Sequence, residues 1–476
     1  DVYKRQNIDS SAILCHGSTL QAMRIAFGIT GMSSKMDDVR ESDFILAFGT
    51  DPYAAYPVLF NRIMEAKKKG GKLICIEDAF SHTLRYADEI FRIKPASYLH
   101  FALALSKAIG SKEGTFQAYL DQLDEKELCR NCGIEWKRIK ELAEKIRGKK
   151  VSILMGMAIA QSGFGTETVL SLTNLSIQLN ASFIPMRGKI NVQGAGDMLC
   201  RPLEDGVPAT VFFYSDNFDF YFIMDSDPVK SAPNSRKVKE NLERAFTVFM
   251  GPFINQTAKV ASVILPGTLL IEEEGSVTTA ERRIRKVRRV RKPPSGKSNF
   301  EIILELARYL GVEIEEKNEE EAWRSIRRDI PTHYNAEFEG FAKKEEKWKR
   351  LVPIVPRKPK FKGFILTTRR YIYQFTTSEL SMRSETLKKL SPKPLVLMNP
   401  EDMRELGIRE GEKVRIKNNL GELIAEVKGE PLVSRKFLVA PFHYSSLLVN
   451  EIIPLQIDPI SFEPNLKYVE VEVEKV

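Results

Sequence analysis

Cysteine is scarce, with five residues (Cys15, Cys75, Cys129, Cys132 and Cys200) in a chain of 476. So sparse and odd a set excludes a disulfide framework and points to a reducing compartment, hence a cytoplasmic location. Long apolar runs are also missing. Nothing approaches the roughly 18 consecutive apolar residues of a hydrophobic span, so no transmembrane segment is expected. The basic, apolar and small-residue succession of a secretory signal does not occur at the start. There is no large excess of one charge sign either: 72 basic residues face 63 acidic ones, a net charge of +9 over the whole length. Spread so thinly, that excess does not mark a nucleic-acid-binding chain. The opening residues, Asp1-Val2-Tyr3-Lys4-Arg5-Gln6, contain no methionine, and the chain reads as lacking an N-terminal part.

The composition is that of a globular protein, 43% hydrophobic and 28% charged, and too long for one domain. Apolar runs that end in turn residues alternate with segments of helical spacing. DFILAFG (43–49), KLICIED (72–78) and VSILMGM (151–157) read as buried parallel strands; PVLFNRIMEAKKKG (57–70), YLHFALALSKAIG (98–110) and ETVLSLTNLSIQLN (167–180) read as helices. The theme repeats from FDFYFIM (218–224) through TVFMG and VASVILPG. Steady alternation predicts doubly wound, Rossmann-like α/β units. The charged stretch 313–362, with Pro353, Pro356 and Pro359, reads as a linker. Beyond it, short alternating strands and an Asn419-Leu420-Gly421 turn predict a C-terminal β-barrel. The expected boundaries are a first α/β domain at 7–186, a second α/β unit at 187–345 whose N-terminal half is missing, a linker at 346–361 and the barrel at 362–476.

Three features carry possible chemistry. Cys15-His16 joins a soft thiolate ligand to an imidazole able to move a proton near neutral pH, although a lone cysteine is most often a small packing residue. Cys129 and Cys132 have half the spacing of a zinc or iron–sulfur site without a second pair, and read as packing residues. The run from Glu281 to Pro294 holds eight basic residues without interleaved aromatics, and reads as a solvated strand near anionic groups rather than an RNA or DNA surface.

The context of Cys15 changes its reading. NIDSSAILCHGSTLQAMRIAFGITGMSSKMDDV (7–39) resembles the molybdenum-ligand segment of formate dehydrogenase catalytic subunits, in the molybdopterin oxidoreductase family. RGKINVQGAGDM (187–198), FIMDSDPV (222–229), the run 264–284, LTTRRYIYQFTTSELSMRS (366–384), NPEDMRELGIREGEKVRI, PFHY and NEIIPLQIDPISFEPNLKY follow in the family's order. The resemblance implies a molybdenum or tungsten bis(molybdopterin guanine dinucleotide) cofactor with Cys15 as the protein's metal ligand. It further implies His16 as proton acceptor and Arg187 as the cation that holds formate. Cofactor contacts are implied at Gly49, Asp51, Gly188, Asn191, Gln193, Gly194, Asp225, Thr367, Thr368, Arg370, His443, Asn450 and Lys467. For His443, Asn450 and Lys467 the plain alternative is ordinary barrel packing or surface polarity. A [4Fe–4S] cluster is implied only in the missing N-terminal part, and iron–sulfur or flavin electron-transfer subunits are the implied partners.

The chain departs from the family pattern where polar side chains are expected around a nucleotide. Ala54-Ala55-Tyr56-Pro57 stands for an acidic residue before His-Pro, Glu77-Asp78-Ala79 for Asp-Pro-Arg, and Ala96-Ser97-Tyr98 for Gly-Thr-Asp. Met250-Gly251 replaces Gln-Asp, Arg369 replaces a glycine, and the loop between Asn180 and Pro185 is short. Each lost charged or bidentate hydrogen bond weakens a nucleotide site by about 1.5–3 kcal/mol. The expected activity is formate oxidation to carbon dioxide or its reverse. The alternatives are a non-catalytic scaffold or electron-transfer subunit resembling the large subunit of respiratory complex I, and a formyl-group dehydrogenase.

Overall fold

A computed structural model describes residues 7–202, 206–343, 348–357 and 361–476. The chain divides into two compact units, a larger one of 13–188 with 346–476 and a smaller one of 1–12 with 189–345.

The first part of the larger unit is a five-stranded parallel sheet of β1 (Phe44–Phe48), β2 (Lys72–Glu77), β3 (Glu89–Arg92), β4 (Val151–Met155) and β5 (Ser182–Pro185), in the order β3-β2-β1-β4-β5. Four of the five residues of β1 and all of β4 are buried, as strands covered by helices on both faces must be. The helix Trp136–Ile146 shows the matching 3.6-residue pattern, burying Ile139, Leu142, Ala143 and Ile146. The helix Tyr98–Ile109 is more apolar all round and nine of its residues are buried, so it packs inside the unit. The strand order reverses between β1 and β4, and the crevice at the carboxyl ends of these strands is where an open α/β sheet receives its ligand.

The smaller unit holds three parallel strands in sequential order, β6 (Phe220–Met224), β7 (Phe246–Gly251) and β8 (Val263–Pro266), and an antiparallel pair, β9 (Gly275–Thr278) and β10 (Ile284–Val287). Its core gathers Tyr221, Ile223, Val229, Val238, Leu242 and Phe249. Strand β10 carries part of the basic run on its exposed side: Arg285 pairs with Glu339, and Lys286 lies 3.9 Å from Glu274. The stretch expected to be a linker contains the helix Glu319–Asp329. Its signals are local rather than hydrophobic, which hides it from periodicity. Asn318 caps it by accepting from Glu321 N–H, acids fill the first turn, and Arg327 and Arg328 fill the last. Trp323 stacks on Phe338 at 4.5 Å.

The larger unit resumes as a closed six-stranded barrel: β11 (Phe364–Arg369), β12 (Leu395–Met398), β13 (Lys413–Asn418), β14 (Gly421–Gly429), β15 (Phe437–Pro441) and β16 (Val469–Lys475), in the order β11-β15-β12-β14-β13-β16. Strands β13 and β14 form the expected hairpin, with Asn418 opposite Gly421 across a two-residue turn. Alternate residues such as Val414, Ile416, Leu423, Ala425 and Val427 point into the barrel core. Within this unit the barrel is joined to the sheet by apolar packing, in which Phe437, Val439 and Tyr468 share one core with Phe48, Phe91 and Phe101.

Candidate functional site

Cys15 and His16 stand between the 3-10 turn Ser11–Leu14 and the helix Gly17–Phe27. His16 is the residue before the first helical turn, only 2% exposed, and neither ring nitrogen has a hydrogen-bond partner among the described residues. Burial first, and the Arg187 guanidinium second, hold the imidazole well below its ordinary pKa, so it is neutral. Arg187 follows β5 and is equally buried; its Nη2 donates to the Thr30 carbonyl. A helix start and a buried guanidinium together favour an anion beside them.

Tyr56 completes this group. Its hydroxyl accepts a hydrogen bond from the Arg187 backbone N–H, and it lies within the electrostatic influence of Arg187, Cys15 and Arg370. Burial is the largest influence and pushes its pKa above the ordinary phenol value, so the hydroxyl stays protonated. Arg370, at the end of β11, donates to the Ala54 carbonyl at 2.9 Å, and burial lowers its pKa. Cys15, His16, Arg187 and Arg370 are therefore four expected site residues that the fold gathers, although they span most of the chain. Tyr56 was legible in the sequence only as a departure from the family pattern, and its role beside Arg187 is tertiary. Gly188 borders open space, with nothing within 4 Å of a Cβ placed there.

Asp51 does not present a free carboxylate. It accepts from His82 Nδ1 at 2.7 Å, from Thr83 Oγ1 at 2.7 Å, and from the N–H groups of both residues. Although burial opposes ionisation, these hydrogen bonds and the charge of His82 win, and hold its pKa at about 2. Gly49 lies at the end of β1 with φ of 51°, where a Cβ would stand 3.0 Å from the Tyr98 ring and hydroxyl. Thr367 and Thr368 are buried on β11, and Lys467 Nζ donates to the Thr368 carbonyl at 2.5 Å and to its hydroxyl at 3.1 Å. Burial pushes the Lys467 ammonium down to about 7. Glu463, which the sequence did not single out, is buried beside the same helix start. One carboxyl oxygen accepts from Ser18 N–H at 2.8 Å, the other is unpartnered among the described residues, and burial raises its pKa to about 8.

His443 is fully buried in the barrel against the rings of Tyr444 (4.5 Å) and Tyr371 (5.4 Å), and Asn450 is buried in the turn Val449–Ile452. In the smaller unit, Asn191 (φ 62°) accepts from Thr278 N–H at 2.9 Å, and its Oδ1 would lie 2.0 Å from a Cβ at Gly194. Gln193 donates to Asp197. Asp225 accepts from Asn299 at 3.3 Å, and burial raises its pKa to about 6. Cys129 and Cys132 lie in the helix Glu125–Cys132, with the Cys132 thiol directed at the Cys129 carbonyl at 3.6 Å. Among the described residues no three His, Cys, Asp or Glu side chains gather to hold a metal ion, so a metal at Cys15 would take most of its ligands from elsewhere.

The family model for molybdopterin oxidoreductase matches residues 4–309, and that for the molydopterin dinucleotide binding domain matches residues 364–470. This chain belongs to the molybdopterin oxidoreductase family. Among curated relatives, the F420-dependent formate dehydrogenase subunit alpha of Methanocaldococcus jannaschii is 26% identical, over 99% of this chain and 82% of the relative. Formate dehydrogenase H of Escherichia coli is 24% identical, over 99% of this chain and 78% of the relative. Acetylene hydratase from Pelobacter acetylenicus has the same fold, with a TM-score of 0.77 at 15% identity, covering 98% of this chain and 82% of that one. This molybdopterin oxidoreductase is thus similar to formate dehydrogenase alpha subunits and carries the barrel of a pterin dinucleotide-binding domain. No helix among its described residues is long and apolar enough to cross a membrane.

Proposed function

We propose that this molybdopterin oxidoreductase oxidises formate to carbon dioxide, or runs the reverse reaction, at a molybdenum or tungsten centre ligated by Cys15. The observation that carries the reading is the convergence of His16, Arg187 and Tyr56 around that thiol. A buried imidazole with both nitrogens unpartnered is costly in a closed core, by about 1–3 kcal/mol per group, and fits a site completed by a bound group. The pterin-bound metal would supply a two-electron sink, the part of the chemistry that side chains cannot perform. The chain's own residues do the rest. Arg187 presents a planar, permanently charged fork that matches two carboxylate oxygens and orients the C–H bond. Tyr56, kept protonated by burial and lying beside Arg187 and Cys15, would offer its hydroxyl to the same anion. His16, buried next to Cys15 with both ring nitrogens open, would take the proton left when the two electrons of the formate C–H bond pass to that sink. Electrons would pass to an iron–sulfur cluster and thence to iron–sulfur or flavin partner subunits.

Expression with molybdate or tungstate, followed by metal and pterin analysis, tests this. Stoichiometric metal and pterin with formate-dependent dye reduction support it. Cys15→Ala should lose the metal and all turnover. Arg187→Ala should retain the metal and lose about 10- to 100-fold in kcat/KM, the equivalent of one charged hydrogen-bonded contact. Wild-type formate turnover in Arg187→Ala would remove that residue from the site, and clean, folded protein without metal would leave the scaffold alternative.

A further inference from the structure

The crevice between β1 and β4 is where the larger unit should receive a nucleotide, and it is occupied by the chain itself. Glu77 ends β2 and Asp78 follows it; both are 1% exposed. Arg369, reaching from the end of β11, pairs with Glu77 at 2.9 Å. The Tyr98 hydroxyl lies 3.0 Å from Glu77 and 2.9 Å from Asp78, and the Tyr468 hydroxyl lies 2.7 Å from Asp78. The Tyr98 ring also stands over Gly49, the first residue beyond β1. These contacts use the groups a nucleotide would need. The backbone N–H of Asp78 donates to the Tyr98 hydroxyl at 3.3 Å, that of Ala79 to Glu77 at 3.3 Å, and that of Ala96 to Asp78 at 2.8 Å.

The charge balance is equally unfavourable. A diphosphate would meet two buried carboxyl groups whose compensating cation is already engaged. Arg369 Nε has no hydrogen-bond partner among the described residues, but the same guanidinium neutralises Glu77. Entry of a nucleotide would break the Arg369–Glu77 pair and return neither partner to water. The three departures Glu77-Asp78, Tyr98 and Arg369, scattered in sequence, are one interlocked cluster.

We infer that this crevice is closed by its own side chains and takes no nucleotide, so that the protein carries one guanine nucleotide per metal where the resemblance implies two. The inference rests on the proposed function, since it presumes that a pterin-bound metal is present. Its test uses the whole metal-loaded protein, with metal measured by elemental analysis and guanine nucleotide released by acid hydrolysis and measured by chromatography. A ratio of about one nucleotide per metal supports the inference, and a ratio of two overturns it while leaving the proposed function intact. Protein with neither metal nor nucleotide overturns the proposed function and this inference with it. Hydrogen exchange supplies a readout independent of cofactor chemistry. Peptides covering 76–80 and 96–98 should exchange equally in metal-loaded and metal-free protein, and their protection on loading would overturn the closed crevice.

Discussion

Glu77→Gln probes the cluster most directly, because it removes one charge of a buried pair and almost no volume. Glu77 has a side chain 2% exposed and Arg369 one 16% exposed, so water cannot replace the lost partner. Leaving a buried guanidinium without its carboxylate costs about 3–5 kcal/mol. At roughly 2 °C per kcal/mol for a unit of this size, the apparent Tm should fall by about 6–10 °C. The carboxyl is itself partly relieved of its charge in the fold. Burial is the largest influence and raises its pKa to about 6, while Arg369 opposes the rise. A raised folded pKa means that wild type loses stability as pH rises through about 4.5 to 6, a loss the uncharged glutamine does not share. The penalty should therefore be largest near pH 5 and shrink towards pH 8. Replacing both partners, as in Glu77→Gln with Arg369→Met, should restore most of the lost stability, since a pair exchanged for matched neutral groups is close to neutral overall. The assay is thermal unfolding followed by circular dichroism at pH 5 and pH 8. A Glu77→Gln protein melting within about 1 °C of wild type at both pH 5 and pH 8 would show that the pair is solvated, and the closed crevice would lose its physical basis.

Asp51 gives a pH-dependent prediction of opposite sign. Its folded pKa, about 2, lies below the ordinary value of 3.8, so its contribution is complete above about pH 4 and is lost as pH falls through 2. Asp51→Asn should lower stability by roughly 2 kcal/mol at pH 7 and flatten the acid limb of the unfolding curve between pH 4 and 2; an unchanged limb would contradict the assignment. Two glycines near the site should behave differently. At Gly156 a Cβ would meet the Gly49 carbonyl at 2.4 Å, so Gly156→Ala should cost about 1–3 kcal/mol in denaturant titration, whereas Gly188→Ala, facing open space, should stay within about 0.5 kcal/mol. Equal effects at the two positions would mean that the end of β4 is not closely packed against β1.

Much of the architecture was legible because the signals were local. Continuous apolar runs such as 44–48 and 151–155 can be satisfied only as strands covered on both faces, and the spacing of Ile139, Leu142 and Ile146 leaves one buried helix face. The turn after Asn418 and the alternation along β13 and β14 likewise require only neighbours in sequence. The helix Glu319–Asp329 was missed because capping and charge, rather than an apolar stripe, specify it. Cys15, His16 and Arg187 were singled out through the order of motifs along the chain; no periodicity identifies them. Tyr56, Glu77 and Arg369 appeared only as departures, since a side chain's partner across hundreds of residues leaves no local trace.

The amino-acid order by itself determined the alternation of strands and helices, the barrel's hairpin and the family pattern, because propensity, periodicity and turn chemistry act over a few residues. Only the tertiary structure decided that Asp51 is saturated by His82 and Thr83, that Tyr56 is anchored on the Arg187 backbone, and that Arg369 crosses from the barrel to Glu77. Those outcomes depend on desolvation and on distances between distant segments. Burial strengthens a charge pair and penalises an unpaired group only after the chain has folded around both.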